Sequence, residues 1–103
     1  MKFELRKLRP TEQDELEAAV WYDEKEPGLG DQFLDAVEAT VDSLADNALL
    51  YRIRFGDVRR VAVKGFPDYG VFYIAQGQVV KIIGISHGAR HPRRLLERRR
   101  QIG

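Results

Sequence analysis

The hydrophobic period of this chain changes once, and that change restricts it to a mixed fold of helices and strands. Before about residue 47 apolar residues recur at helical spacing; from about residue 58 they recur every second residue. Phe33, Val37, Val41 and Leu44 fall at i, i+4, i+8 and i+11, with Leu34 and Ala45 alongside, and predict a helix from about Asp31 to Asn47. Val58–Lys64 alternates instead, with Val61 and Val63 on one side and Arg60, Ala62 and Lys64 on the other. Phe66-Pro67-Asp68 is expected to turn the chain. Tyr69–Ala75 is rich in β-formers, Gln76-Gly77 suits a tight hairpin, and Val79–Ser86 is apolar on both faces, as a central strand is.

The N-terminal part completes the pattern. Lys2–Leu8 alternates loosely and predicts a half-buried first strand, ended by Arg9-Pro10. Thr11 stands where a helix N-cap belongs, with Asp14 three residues on, and the helix is expected from about Glu12 to Lys25. Leu16, Ala19, Val20 and Asp23 fall near one face, and Trp21 and Tyr22 widen the apolar stripe. Glu26-Pro27-Gly28-Leu29-Gly30 is a turn short enough to make the two helices an antiparallel hairpin. The order is strand, two helices, then three strands. It predicts an α+β fold, an antiparallel sheet with the helix hairpin packed on one face. Pro92 is placed to open a short final helix.

At 103 residues this reads as a single domain spanning 1–103, with a basic tail from about residue 87. The absence of cysteine excludes disulfides, a cysteine zinc site and thiol catalysis, and suits a reducing cytoplasm. The N-terminus has no apolar leader-like stretch, and the longest apolar run, Val79–Ile85, is short and interrupted by Lys81, so no membrane span is expected. His87 and His91 are four apart, but Gly88 and Pro92 oppose a helix presenting both, so no metal and no cofactor is expected.

A net charge of +1 conceals a division. Residues 1–50 carry 5 Lys/Arg and 13 Asp/Glu, a net of −8; residues 51–103 carry 12 and 3, a net of +9. Such asymmetry points either to a polyanion or acidic partner at the C-terminal half, or to pairing of the halves across the fold. The run Arg98–Arg100 reads first as a solvated tail and second as a phosphate contact.

Three stretches, in this order and spacing, resemble the RelE/ParE toxin superfamily. They are Ala18-Ala19-Val20-Trp21-Tyr22-Asp23 with Pro27-Gly28-Leu29-Gly30-Asp31-Gln32-Phe33-Leu34, then Phe55-Gly56-Asp57-Val58-Arg59-Arg60 with Phe66-Pro67 and Tyr69-Gly70-Val71-Phe72-Tyr73, and Ile85-Ser86-His87-Gly88-Ala89-Arg90-His91-Pro92. The resemblance implies a β-α-α-β-β-β fold and a cytoplasmic toxin of a type II toxin–antitoxin system, held inactive by a cognate antitoxin. ParE-like members inhibit DNA gyrase and are not enzymes; RelE-like members cut mRNA on the ribosome; other relatives bind an antitoxin without shown toxicity.

Metal-independent RNA cleavage needs a group to take the 2′-hydroxyl proton, a group to protonate the leaving oxygen, and cations for the phosphate. The residues able to supply these are Arg60, Lys64, Tyr73, His87 and Arg90, with His91 beside them. Against the nuclease pattern, Gly70 stands where an arginine is expected, and no tyrosine follows Tyr73. These departures favour the ParE-like, non-enzymatic reading. For the antitoxin, Phe33 and Val37 are expected to line an apolar groove between hairpin and sheet. Arg59, Arg93 and Arg94 would supply its charge, and the segment that fills it would be acidic and amphipathic.

Overall fold

The computed structural model describes residues 2–88 and 93–102. The elements are β1 (Glu4–Lys7), α1 (Arg9–Lys25), α2 (Leu29–Asn47), β2 (Ile53–Phe55), β3 (Val58–Val63), β4 (Phe66–Gln76), β5 (Val79–His87) and α3 (Arg93–Ile102). The five strands form one sheet in the order β1-β5-β4-β3-β2. The α+β class is as expected, but the sheet is mixed rather than antiparallel. β1 runs parallel to β5, its Glu4–Lys7 set against Val79–Ile82, because the helix hairpin carries the chain back before the meander begins.

The hairpin covers one face of the sheet. Phe33, Val37 and Leu44 of α2 pack on Val71, Tyr73, Val80 and Ile82. Tyr22, Phe33, Phe66 and Tyr69 add a ring cluster with centroids 5.0–5.7 Å apart. Each such aliphatic or aromatic side chain contributes roughly 1.5–3 kcal/mol on full burial. The helices are not all on one face. α3 lies on the other, where Leu95 and Ile102 meet Val58, Phe72, Ile74 and Ile83.

Four expectations need correction. First, α1 begins at Arg9, with Leu8 as its N-cap and Pro10 in the first turn; Thr11 is not a cap but a buried residue within the helix. Second, the buried stripe of α1 is Thr11, Asp14, Glu15, Ala18 and Ala19, while Leu16, Val20 and Trp21 are 57%, 59% and 44% exposed. The small Ala19 matters because α2 crosses close by. A Cβ on Gly30 would collide with the Ala19 carbonyl, and the Gly30 N–H donates to Asp23 Oδ1 at 2.7 Å, satisfying a first-turn amide of α2.

Third, Phe66-Pro67-Asp68 is not a turn but the start of β4; the chain reverses at Lys64-Gly65, where Gly65 has φ +83°. Pro67 is tolerated because it lies where the β3–β4 register is irregular, between the Val63–Phe66 and Ala62–Gly70 pairs. The next hairpin closes one residue later than expected, on Gly77-Gln78 between Gln76 and Val79. Fourth, Ile53–Phe55 forms an additional edge strand on β3. Arg90, His91 and Pro92, the residue expected to open the last helix, lie outside the described residues.

Candidate functional site

The sheet face under α3 is assembled from the edge of β5. β1 stops pairing at Ile82, and α1 takes over. The Leu8 N–H and the Thr11 hydroxyl both donate to the Ile82 carbonyl, at 3.0 and 3.1 Å. The Ile85 N–H donates to Asp14 Oδ2 at 3.0 Å. Backbone groups that would be orphaned at a buried edge are thereby paired.

Asp14 also anchors α3. Arg98 donates from Nη1 to Asp14 Oδ2 at 2.6 Å and to the Ile83 carbonyl at 3.0 Å, and from Nη2 to Asp14 Oδ1 at 3.0 Å. The Asp14 side chain is 2% exposed and that of Arg98 14%. Arg94 approaches the same carboxylate at 3.5 Å. The contact requires Gly84, since a Cβ there would strike Leu95 Cδ2 and lie 2.7 Å from Arg98 Nη1. The β4–β5 register also shifts here: Phe72 pairs with Gly84 and Tyr73 with Ile82, so Ile83 is an extra residue.

One step across the sheet, Arg60 is held differently. Its strand partners are Phe72 of β4 and, one residue pair on, Ala62 opposite Gly70 and Gly70 opposite Ser86. Register places all five residues on the α3 side. The Arg60 side chain lies across Gly70, where a Cβ would collide with Nε, and its guanidinium carbon is 5.9 Å from the Phe72 ring centre. Nε is buried and has no hydrogen-bond partner among the described residues. Burial, and then the nearby Arg54, push its pKa below the usual arginine value. Gly70 is therefore not only the absence of an arginine: its missing side chain is the space that the Arg60 side chain occupies.

The remaining candidates are dispersed. Tyr73 points into the core on the hairpin side, fully buried, its hydroxyl donating to the Ala48 carbonyl at 2.6 Å. Burial pushes that hydroxyl up to about 12. His87 pairs across the strands with Tyr69, ring centres 5.1 Å apart, also on the hairpin side. Lys64 stands at the end of β3 beside α2, its N–H donating to Thr40 Oγ1 at 3.1 Å. Arg59 points away from Arg60 and donates to the Tyr51 carbonyl at 2.5 Å.

Phe33 and Val37 do not line the expected groove: they are 0% exposed because they fill the space between hairpin and sheet. Arg93 and Arg94 are exposed at the start of α3, away from those two residues.

Sequence reading missed Asp14, Gly84 and Arg98. The available signal was the spacing Thr11, Asp14/Glu15, Ala18/Ala19, a buried helical stripe made of polar and small residues. The arginine run is not a free tail either. Arg98 is buried on Asp14, Arg99 makes a two-bond pair with Asp57 at 2.8 and 2.8 Å, and Arg100 meets Glu97 at 3.2 Å. Of the ion pairs among the described residues, only Asp14 with Arg94 and Arg98 joins the acidic half to the basic half. Among the described residues the charge division is thus bridged by close ion pairs only at Asp14.

A mixed five-stranded sheet with a helix hairpin on one face and a third helix on the other is a small α+β architecture. A solved chain from the chromosomal ParDE toxin–antitoxin system of P. aeruginosa shares it, with a TM-score of 0.74 over 84% of this chain and 97% of that one, at 14% identity. Residues 7–92 match the family described as ParE toxin of type II toxin-antitoxin system, parDE. The chain belongs to that family. A search of curated protein sequences found no match. Among the described residues no helix is long and apolar enough to cross a membrane.

Proposed function

We propose that this protein is a cytoplasmic, non-enzymatic toxin that inhibits DNA gyrase and is neutralised by a cognate antitoxin. The reading follows from membership of the ParE family together with one observation, the scatter of the proton-transfer candidates. Arg60 lies on the α3 side of the sheet, Tyr73 and His87 on the hairpin side, and Lys64 beside α2. General acid–base work on one phosphodiester needs its groups within about 2.6–3.2 Å of the atoms they serve. A tyrosine hydroxyl buried on a backbone carbonyl does not meet that condition. In this reading Arg93 and Arg94 steer an acidic antitoxin segment, and replacing both with Glu slows association at low salt.

The test is inducible expression without the antitoxin, scored in parallel for supercoiling and for mRNA integrity, with purified protein added to gyrase. Growth arrest with blocked supercoiling and intact mRNA is expected; normal supercoiling at high protein concentration overturns the reading. A second reading, ribosome-dependent mRNA cleavage, is favoured by one observation, Arg60 beside Arg54 with its buried Nε lacking a partner among the described residues. It requires mRNA cleavage in a translating extract that Arg90→Ala abolishes.

A further inference from the structure

Away from Arg60, at the other end of the α3-side face, four cations surround one hollow. It has a volume of about 390 Å³ and is lined by Arg6, Leu8, Arg9, Pro10, Lys81, Arg98, Gln101 and Ile102. Among the described residues no carboxylate lines it. Four elements contribute: the end of β1, the first turn of α1, the first part of β5 and the last turns of α3.

Two of the cations, Arg9 and Lys81, are placed where no ion pair among the described residues accounts for them. Lys81 is a half-buried lysine on a central strand, with Arg6 of β1 directly opposite and Ile74 of β4 on its other side. Like charges opposed across neighbouring strands are destabilising. Arg9 is in the first turn of α1, where the helix dipole disfavours a cation. Neither Arg9 nor Lys81 has an ion-pair partner among the described residues, whereas Arg6 has Glu4 at 2.6 Å and Arg98 has Asp14. The surface between the charges is aliphatic, from Leu8, Pro10 and Ile102. A hollow of this size with an apolar floor and a few convergent charges is of the kind that holds small organic ligands.

We propose that this hollow binds an organic phosphate, its phosphate held by Arg9, Lys81 and Arg6 and its apolar body resting on Leu8, Pro10 and Ile102. A dianion suits cations converging from three elements better than a single carboxylate does. Because the last turn of α3 forms one wall, the bound ligand also ties α3 to the β1–α1 junction and favours the folded chain. The site is distinct from the Arg60 region and does not depend on the toxin's target.

The test uses the full chain at low salt, titrated with phenyl phosphate, inorganic phosphate and benzyl alcohol while amide resonances are followed. Phenyl phosphate is expected to bind several-fold tighter than inorganic phosphate, to move the amides of Arg9, Lys81 and Ile102, and to raise the Tm. Benzyl alcohol is expected to leave all three unmoved. Arg9→Gln and Lys81→Gln should each weaken binding about tenfold, the scale of one charge-assisted contact, and Arg60→Gln should not. Ile102→Ala should erase the preference for phenyl phosphate. Equal affinity for the two phosphates, with shifts spread over all arginines of α3, would show a non-selective cationic surface and overturn the proposal. So would unchanged binding in both Gln variants. An acidic peptide that moves these amides where phenyl phosphate does not would make the hollow a protein-docking face and would also overturn it.

Discussion

Arg98 and Arg60 lie on the same face of the same sheet, both partly withdrawn from water, and they are treated in opposite ways. Arg98 makes two bonds to a buried carboxylate and a third to a carbonyl. Arg60 rests on a glycine and a ring, with Arg54 near it and Nε unsatisfied. An ion pair withdrawn from water holds only if the geometry is good and the remaining polar groups are met. The first arginine satisfies that condition within the chain and is architectural. The second does not among the described residues, where its buried Nε has no hydrogen-bond partner.

The comparison is most sharply tested by removing the partner of the satisfied arginine. Asp14→Ala leaves Arg98 without its carboxylate and the Ile85 N–H without an acceptor. A loss of about 3–5 kcal/mol is expected in chemical denaturation, with α3 amides exchanging faster than those of α2. A loss under about 1 kcal/mol would mean that the pair contributes nothing architectural. Gly84→Ala comes next. Its methyl displaces Leu95 and Arg98, and overpacking of this kind costs about 1–3 kcal/mol.

The Asp57–Arg99 pair is an exposed version of the same bond. The Arg99 guanidinium holds the Asp57 carboxyl below its ordinary value. Its contribution is therefore present above the unfolded carboxylate pKa and is lost as pH falls through the lower folded value. With Asp57 half exposed it amounts to about 0.2–1 kcal/mol, read as the difference between the acid-unfolding curves of wild type and Asp57→Asn. Smallest of all is Arg60→Gln, expected to change stability by no more than about 0.5 kcal/mol. A loss above about 1 kcal/mol would reveal an internal partner and break the contrast.

How far each element was legible depends on whether hydrophobicity or hydrogen bonding placed it. α2 and β3–β5 are written in apolar periods, and those periods survive because their faces pack on apolar neighbours. α1 is buried through Thr11, Asp14 and Glu15, which stay in the interior by bonding to β5, Arg98 and Lys7. A reading that seeks apolar residues turns that helix to the wrong face and places Leu16 and Val20 inside. β2 has only Ile53, Arg54 and Phe55, too short to show alternation. The site divided likewise. Arg60 was visible as a cation on a strand. That Gly70 is its seat requires knowing that the two strands pair, which lies in the register and not in either segment alone.

The Asp14–Arg98 bond joins residues 84 positions apart. At synthesis rates of about 5–20 residues per second, Asp14 is made roughly 4–17 seconds before the cation that completes its site. Through that interval the nascent chain carries a carboxylate, destined for burial, without its charge partner. Once Ile83 has been added, it also carries a sheet surface of Val58, Phe72, Ile74 and Ile83 without its covering helix. Ribosome pausing or premature termination before residue 98 therefore yields a chain whose helix hairpin is present and whose opposite face is open, an interval in which chaperones and proteases meet the protein before α3 has docked.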